Sequence, residues 1–566
     1  MRSDSSGSAR LLPVALSVHS ATIDTAHAPP FHALSYIWGT ETTTEEMELG
    51  GKRFAVTPHL RTGLRALGRR FADALFWIDA ICINQTDDAE KATQVGRMSD
   101  IYLLAACVVI WLGPARDNSD LFMTQVTRLN DAFASIPDVK MLERDALPDH
   151  GLPPIEDEVW LAIRRFDGLP WAQRLWVLQE AVLAEEAVVV CGDHAVDLED
   201  MLTVCGYLTR IWSHLLEEPP SSASVVDAFV ILWGLRKSRQ RDGCDSLADV
   251  LFMSTGRRCR EAVDKVYGFL GLVSAEVRAK IAVDYTLQSR DNFWKLYIQV
   301  SSMLLQTRDY LLLDMAVSEH RHAALPTWCP DFRDDPSVRT YHFSDFEAGL
   351  PQYPGDFDGL PVPPVSFVHP DGLQVCGVVM DRVKTVVELS VSTAQQLRLC
   401  ETRCLELSSE VYVSREAAPL EHIATLVAGT DTEWSLYEAP RVVEDYGHWK
   451  VWMLQKTATD DRARGSTADP EGRAAAREYN SCLEAAWQGN AFFSTENGRV
   501  GIGPGALRQG DSVHVLFHAR APYLLRFDES RQAHSLVGPA YVHGLMGGEA
   551  FRAADPIQTH ERFLLR

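Results

Sequence analysis

Residues 74–113 read "ALFWIDAICINQTDDAEKATQVGRMSDIYLLAACVVIWLG", and this stretch decides the fold of the N-terminal part of the chain. It opens with an apolar run that stops at Asp79, continues as a charged stretch with helical spacing, and closes with a second apolar run. Two buried strands separated by an amphipathic helix are typical of a mainly parallel sheet with crossovers. A predicted strand over 31–37 and a predicted helix over 58–71 precede it, so we expect an α/β fold with flanking helices.

Polar side chains stand at the carboxyl ends of two of these predicted strands. Ser35 and Tyr36 lie near the end of the first strand. Asp79 ends the next strand, and Asn84 and Gln85 follow just beyond it. Ligands gather outside the carboxyl ends of the strands in a parallel sheet, so these residues predict a polar cleft that binds ribose or diphosphate. The alternative is that such side chains satisfy backbone groups at loop bends and helix caps.

Length and charge limit the architecture and the partners. The chain has 566 residues, which suggests about two to four domains. It carries 54 Lys and Arg against 77 Asp and Glu, and the resulting net charge of −23 repels phosphate backbones and anionic lipid. We therefore expect no nucleic-acid partner.

Cysteine usage and apolar patterning bear on the compartment. The 11 cysteines are scattered, and many lie within apolar runs, as is typical of buried, reduced thiols in the cytosol. No second Cys or His pair stands near Cys400 and Cys404, so no metal site is expected. No apolar run reaches membrane-spanning length, and the N-terminus lacks the features of a signal peptide. These patterns predict a cytoplasmic protein without a membrane span.

Downstream of residue 195 the sequence changes character twice. Residues 196–320 follow a helical pattern and predict a helical extension. Residues 321–566 start with a Pro-rich connector, continue through a predicted helix over 393–412 and end in several predicted strands, which indicates a C-terminal α+β module. A mobile insertion is expected near 457–476, and residues 1–30 form a separate N-terminal segment.

Several long motifs occur together in this chain. They are "FHALSYIWG", "FWIDAICINQTD", "PWAQRLWVLQEAVLA" and "VVVCG", in this order, between residues 31 and 195. Their order and spacing resemble the HET (heterokaryon incompatibility) domain of filamentous fungi. Three later stretches, "RRCREAVDKVYGFLGLV", "LPTWCPDF" and "GIGPGALRQGDSVHVL", resemble the region that follows this domain in such proteins. The resemblance implies non-self recognition between fused hyphae and a cell-death response, with other incompatibility proteins or a second copy of the chain as partners.

The HET domain is also distantly similar to TIR domains, some of which cleave NAD. One TIR motif places a Trp four residues before a catalytic Glu on a helix, and Trp176 and Glu180 have that spacing here. The resemblance thus implies a TIR-like HET domain in which Glu180 is catalytic and Trp176 contacts the substrate. NAD would be a substrate, and no cofactor is implied.

The residue pattern around Glu180 can be argued independently. A helix is predicted from Trp171, with Leu178 on its buried stripe and with Trp176 and Glu180 on another face, away from the core. A fixed carboxylate there could hold ribose hydroxyls and stabilise the oxocarbenium-like state of N-glycoside cleavage, while the indole stacks on a ring. The alternative is an exposed helical Glu that pairs with a nearby Arg, beside a Trp that only packs.

Three hypotheses of function therefore stay open. In the first, the chain is an incompatibility effector that acts as an NAD glycohydrolase. In the second, the HET domain is a non-catalytic signalling and assembly module that acts by protein–protein interaction. The first requires a cleft that joins Glu180 to Asp79 and Ser35, whereas the second expects these side chains apart or buried in mutual hydrogen bonds. In the third, a metabolic or regulatory protein reuses the fold.

Overall fold

The computed structural model describes residues 29–566 with interior gaps. The gaps are 39–43, 140–141, 167–168, 216–224, 290, 308–309, 318–320, 334–345, 349, 351–364, 370, 413–419, 432–434, 458–469 and 553–559. Residues 1–28 of the predicted N-terminal segment and residues 458–469 of the predicted insertion thus lie outside the described residues.

Strands and helices occur in both halves of the chain. The strands are β1 (His32–Tyr36), β2 (Glu45–Leu49), β3 (Lys52–Val56), β4 (Phe76–Trp77), β5 (Cys107–Gly113), β6 (Ala187–Cys191), β7 (His194–Asp197), β8 (Val365–His369), β9 (Gly372–Glu388), β10 (Asn490–Thr495), β11 (Val500–Pro504), β12 (Ser512–Leu516), β13 (Tyr523–Asp528), β14 (Ala533–Pro539), β15 (Tyr541–Val542) and β16 (Glu561–Leu565). The helices are α1 (Pro58–Arg70), α2 (Asp79–Cys82), α3 (Asp88–Leu104), α4 (Ser119–Ala134), α5 (Glu158–Phe166), α6 (Trp176–Val182), α7 (Leu198–Leu215), α8 (Val225–Asp242), α9 (Leu247–Met253), α10 (Asp264–Tyr267), α11 (Ala275–Ala279), α12 (Thr286–Ser289), α13 (Phe293–Gln306), α14 (Leu311–Met315), α15 (Ala394–Tyr412), α16 (Leu420–Leu426), α17 (Ala439–Thr457), α18 (Pro470–Trp487) and α19 (Glu549–Arg552).

These elements form two compact units. Unit 1 comprises Met1–Leu247 and Arg257–Ser289, and unit 2 comprises Ala248–Gly256 and Arg290–Arg566. The division runs through the predicted helical extension, since helices of that stretch occur in both units. The predicted domain limits remain predictions.

Unit 1 is built on a five-stranded sheet with the order β4-β1-β5-β6-β7. β1 lies parallel to both β4 and β5, β5 lies parallel to β6, and only β7 runs antiparallel to its neighbour. The predicted mainly parallel sheet is therefore confirmed. Counted within this sheet, the strand order is 2-1-3-4-5, a doubly wound order whose connections diverge between β1 and β5. Ligands bind doubly wound sheets outside the carboxyl ends of the strands at this switch point.

Local sequence explains the elements around β1. The β2–β3 hairpin turns at Gly50 and Gly51, whose φ angles of 58° and 78° suit glycine. Helix α1 begins after Thr57, whose side chain accepts a hydrogen bond from a backbone N–H of the first turn. The sequence offers Asp87 or Asp88 as the cap of α3, and Asp87 takes this place by accepting from the backbone of Ala89 and Glu90.

Two predicted elements are wrong in extent. The buried strand expected over 74–80 is reduced to the two half-buried residues of β4, because β4 is an edge strand that pairs with β1 alone; Asp79 already begins the one-turn helix α2. The helix expected from Trp171 is a 3-10 turn over Pro170–Gln173, and α6 starts only at Trp176.

The interruption before α6 has a tertiary cause. The backbone of Arg174 is extended and forms a β-bridge with Arg258. The N–H of Leu175 donates to the carbonyl of Arg258 at 2.8 Å, and the N–H of Arg258 donates to the carbonyl of Gln173 at 2.5 Å. These bonds replace helical ones, so the local pattern alone could not predict the break.

Unit 2 is rich in strands, which confirms the predicted C-terminal α+β module at the level of its composition. The 17-residue strand β9 pairs with both β12 and β16, so β9, β12, β13, β14 and β16 close into a ring. β10, β11 and β15 extend the sheet from the other end of β9. Helices α15 to α18 share a core with β10 and β11 that includes the buried Trp449 and Trp487.

Candidate functional site

A buried carboxyl group lies at the centre of the candidate site. Glu180 on α6 is 1% exposed, and the hydroxyl of Ser35 on β1, itself 0% exposed, donates to its Oε2 at 2.5 Å. The indole of Trp171 donates in turn to the Ser35 oxygen at 3.1 Å. The expectation that Glu180 faces away from the core is wrong, because the short helix α6 contacts β1, β5, α3 and α8 and is therefore covered on several sides.

Asp79 and Arg174 complete the cluster. The guanidinium of Arg174 lies 4.0 Å from Asp79 Oδ2 and 4.0 Å from Glu180 Oε1. It also lies over the ring of Tyr36, 6.0 Å from the ring centre. Asp79 is oriented by the indole of Trp38, which donates to Oδ2 at 2.7 Å, and by the N–H of Ala80, which donates to Oδ1 at 2.7 Å.

The structure therefore brings four of the seven predicted site residues together at the carboxyl end of β1. These are Ser35, Tyr36, Asp79 and Glu180. Their place is next to the point where the connections of the sheet diverge, since β1 pairs with β5 through Ser35 and Tyr36.

The other three predicted residues serve different contacts. The exposed Asn84 accepts hydrogen bonds from the backbone and the hydroxyl of Thr86, which is a local turn. The amide of Gln85 donates to the carbonyl of Asp79 at 3.3 Å and thus supports the loop under the cluster. The indole of Trp176 is half-buried and donates to Asp264 at 3.4 Å.

Burial controls the protonation of the cluster. It raises the pKa of Glu180 to about 7, although Arg174 and the bond from Ser35 favour the charged form. It also raises the pKa of Asp79, against the same Arg174 and the bond from Trp38. Burial disfavours the charge of Arg174, yet the two carboxylates raise its pKa further above its usual value, so it stays cationic. Near neutral pH the cluster thus combines the permanent positive charge of Arg174 with two carboxyl groups, of which Glu180 titrates in this range.

Arg174 is the residue that sequence reasoning missed. Its side chain is 20% exposed, and its guanidinium makes no hydrogen bond to any described residue, since the two carboxylates are 4.0 Å away. The only signal in the sequence was its position between Trp171 and Trp176, inside the motif that carries Glu180. A guanidinium with free donors beside two carboxylates can bind a ligand that offers both hydroxyl and acceptor oxygens, such as a ribose.

The described residues contain neither a membrane-spanning helix nor a cluster of metal-ligating side chains. None of their helices is long and apolar enough to cross a membrane. No group of three or more His, Cys, Asp or Glu side chains among them could hold a metal ion.

Comparison with known proteins identifies two regions of the chain. Residues 31–180 match the family described as "Heterokaryon incompatibility protein (HET)", and residues 428–564 match the "Het-6 beta-barrel domain". The chain is 26% identical to "Heterokaryon incompatibility protein 6, OR allele" of Neurospora crassa, over 95% of this chain and 92% of that protein. No solved structure matches. The resemblance to the HET domain is therefore confirmed.

Proposed function

We propose that this chain, which carries a HET domain at residues 31–180 and a Het-6 β-barrel domain at 428–564, is an effector of non-self recognition that triggers programmed cell death in fungi. Support comes from the two matched regions and from the similarity to an incompatibility protein along nearly the whole of both chains. Its partners would be other incompatibility proteins or a second copy of the chain.

The chemical step that fits this role is hydrolysis of NAD in the HET domain. The bond between the ribose and nicotinamide breaks, neutral nicotinamide leaves with the bonding electrons, and water adds to the ribose carbon and releases one proton to solvent, which gives ADP-ribose. The observation that carries this proposal is the convergence of Ser35, Asp79, Arg174 and Glu180 at the carboxyl end of β1. A TIR-like arrangement of the HET domain is part of the same proposal.

Each member of the cluster would have a distinct task. Ionised Glu180 stabilises the positive charge that develops on the ribose as nicotinamide departs. Asp79 accepts hydrogen bonds from ribose hydroxyls, and Arg174 donates to ribose oxygens. Ser35 holds the Glu180 carboxylate in place through its 2.5 Å hydrogen bond.

The cluster is closed in the described state. Glu180 is 1% exposed, whereas the side chain of Arg174 is 20% exposed. A ligand therefore reaches Glu180 only after some of the side chains that cover it have moved. A closed resting state suits an effector that must stay inactive until it is triggered.

One observation favours a second candidate function. The Glu180 carboxyl is buried in a hydrogen bond with Ser35, which is the arrangement expected of a non-catalytic HET module that acts by assembly. In that case the cluster stabilises the end of β1 and cell death follows from protein–protein interaction alone.

Incubation with NAD separates the two functions. The purified chain, with and without chemical crosslinking to force self-association, is compared with Glu180→Gln, which keeps an acceptor oxygen for the Ser35 hydroxyl. We expect nicotinamide release from the wild type and a loss of about 10²- to 10⁴-fold in the variant. The control is Glu401→Gln, which changes another fully buried carboxylate, one that lies in unit 2.

Three results would decide against catalysis. They are an absence of nicotinamide from both free and crosslinked wild type, equal rates for wild type and Glu180→Gln, and an equal loss in Glu401→Gln. The first of these, together with cell death on expression of both wild type and Glu180→Gln in a fungal host, would support assembly as the mode of action.

A further inference from the structure

A second buried carboxyl group contacts helix α6 from outside the matched HET region. Asp264, at the start of α10, is 4% exposed, and both of its oxygens accept hydrogen bonds. The indole of Trp176 donates to Oδ2 at 3.4 Å, and the hydroxyl of Tyr285 donates to Oδ1 at 2.6 Å. Asp264 thus joins the first residue of α6 to a distant tyrosine.

The segment 257–271 is tied to α6 at several further points. The backbone of Arg258 forms the bridge that ends the turn before α6, with hydrogen bonds to Leu175 and Gln173. The N–H of Gly271 donates to the side-chain oxygen of Gln179, the neighbour of Glu180, at 2.8 Å. Helix α6 is therefore held before its first residue and at its middle by a segment that belongs to unit 1 but follows the HET match by many residues.

Several neighbouring groups determine whether the Asp264 carboxyl is ionised. Burial raises the pKa of Asp264 to about 6, while the bond from Tyr285, the charge of Lys91 and the bond from Trp176 favour ionisation and the charge of Glu261 opposes it. The ammonium of Lys91 on α3 lies 4.0 Å from the ring centre of Tyr285 and 3.9 Å from Glu261. Burying a carboxyl group without partners is costly, so these bonds account for its presence in the interior.

We infer that Asp264 is a positioning residue of the candidate site, which fixes the indole of Trp176 so that it can stack on the ring of a bound NAD. Trp176 is one helical turn before Glu180, so both side chains lie along the same side of α6. The indole is half-buried, and its N–H is directed to Asp264, which orients the ring. The claim that NAD stacks on the indole rests on the proposed function, whereas the claim that Asp264 orients the indole does not.

The test measures two things, the NMR resonance of the Trp176 indole N–H and the kinetics of NAD cleavage. The variants are Asp264→Asn, which keeps the shape of the side chain, and Asp264→Ala, which removes the acceptor. Glu261→Gln is the control, because it changes a charge that also acts on Asp264, while the Glu261 carboxylate itself contacts Lys91 and Arg260 and not the indole of Trp176. Protein labelled with ¹⁵N-tryptophan reports the indole N–H, and Trp176→Phe assigns the resonance of Trp176 among the 14 tryptophans.

We expect the Trp176 resonance to move in both Asp264 variants and to keep its position in Glu261→Gln. The KM for NAD should rise about three- to ten-fold with kcat retained, as for the loss of one aromatic stacking contact. Asp264→Ala should add nothing further to KM in a Trp176→Phe background, since both changes remove the same interaction.

Two outcomes overturn the inference. One is a Trp176 resonance that stays in place in Asp264→Asn and Asp264→Ala. The other is a resonance that moves while KM stays unchanged, or while kcat alone falls. If the wild type releases no nicotinamide, the proposed function fails by itself, and the indole resonance still decides whether Asp264 fixes Trp176.

Discussion

The Ser35–Glu180 pair shows how burial changes the chemistry of one residue. In water the pKa of a glutamate lies well below neutral pH, but at this position burial raises the pKa of Glu180 to about 7. The Ser35 hydroxyl and Arg174 act in the opposite direction, because both favour the charged form. The protonation of Glu180 is thus set by a balance that small changes at the site can shift near neutral pH.

This balance predicts the pH dependence of NAD cleavage. Only ionised Glu180 stabilises a developing positive charge, so the rate should rise with pH through about 7 in the wild type. Ser35→Ala removes a hydrogen bond that favours the carboxylate, so its midpoint should move to higher pH. Initial rates of nicotinamide release from about pH 5.5 to about pH 8.5 measure both midpoints.

The control for this prediction is Thr57→Ala, which removes a helix cap in unit 1 that does not touch the cluster. Its rate–pH profile should keep the wild-type midpoint. A Ser35→Ala profile that moves to lower pH, or a wild-type midpoint at the usual pKa of a free glutamate, would contradict the role given to the pair.

At the scale of single elements, local sequence accounts for α1, α3 and the β2–β3 hairpin. Their apolar spacing, caps and turn glycines are all set by neighbouring residues. The extents of β4 and α6 were predicted wrongly because distant contacts determine them. β4 is short since it pairs only with β1 at the sheet edge, and α6 starts late since Arg258 pairs with the chain before it.

The same dependence on distant packing makes Gly271 sensitive to substitution. A Cβ at this position would lie 2.6 Å from the Cβ of Ser99 and 2.7 Å from the side-chain oxygen of Gln179. Gly271→Ala should therefore lower the free energy of unfolding of unit 1 by about 1–3 kcal/mol, because α3 or α6 must shift. Urea-dependent hydrogen exchange of peptides from α6 measures this loss.

Gly206→Ala serves as the matched control. Gly206 lies within α7, and a Cβ there meets nothing within 4 Å. This substitution should raise the stability by about 0.5–1 kcal/mol, since alanine favours a helix more than glycine does. A stabilising effect of Gly271→Ala would show that the segment 257–271 is not packed on α6 as described.

At the scale of the whole molecule, the sequence motifs predicted the residues of the candidate site more fully than the residues that support them. Ser35, Asp79 and Glu180 were all predicted, since each lies at a motif or at the end of an apolar run. Asp264 could not be assigned to Trp176, because nothing in the sequence shows which segments meet in space. Likewise, β9 closes the ring of unit 2 although it precedes the matched residues 428–564.

The two units also differ in the groups whose pKa is shifted by burial. In unit 1, burial raises the pKa of Glu180 to about 7 and that of Asp264 to about 6, and it raises the pKa of Asp79. In unit 2, the groups that matter are histidines whose pKa burial lowers, namely His422, His514, His534 and His543. Among the described groups, His59 in unit 1 and Asp445 in unit 2 act against this trend, because burial lowers the pKa of His59 to about 4 and raises the pKa of Asp445.

These groups predict that acidification changes the stability of the two units in opposite directions. A carboxyl group with a raised pKa binds its proton in the folded state first, so unit 1 should gain stability as the pH falls from about 8 to about 6. A histidine with a lowered pKa is protonated first in the unfolded state, so unit 2 should lose stability as the pH falls below about 6.5. Hydrogen exchange at about pH 8 and about pH 6, corrected for intrinsic rates, measures the change in stability of each unit separately. The Glu180→Gln and Asp264→Asn double variant should lose most of the gain in stability of unit 1, and the stability of unit 2 should change with pH as in the wild type. If acidification changed the stability of both units of the wild type in the same direction, other groups would dominate.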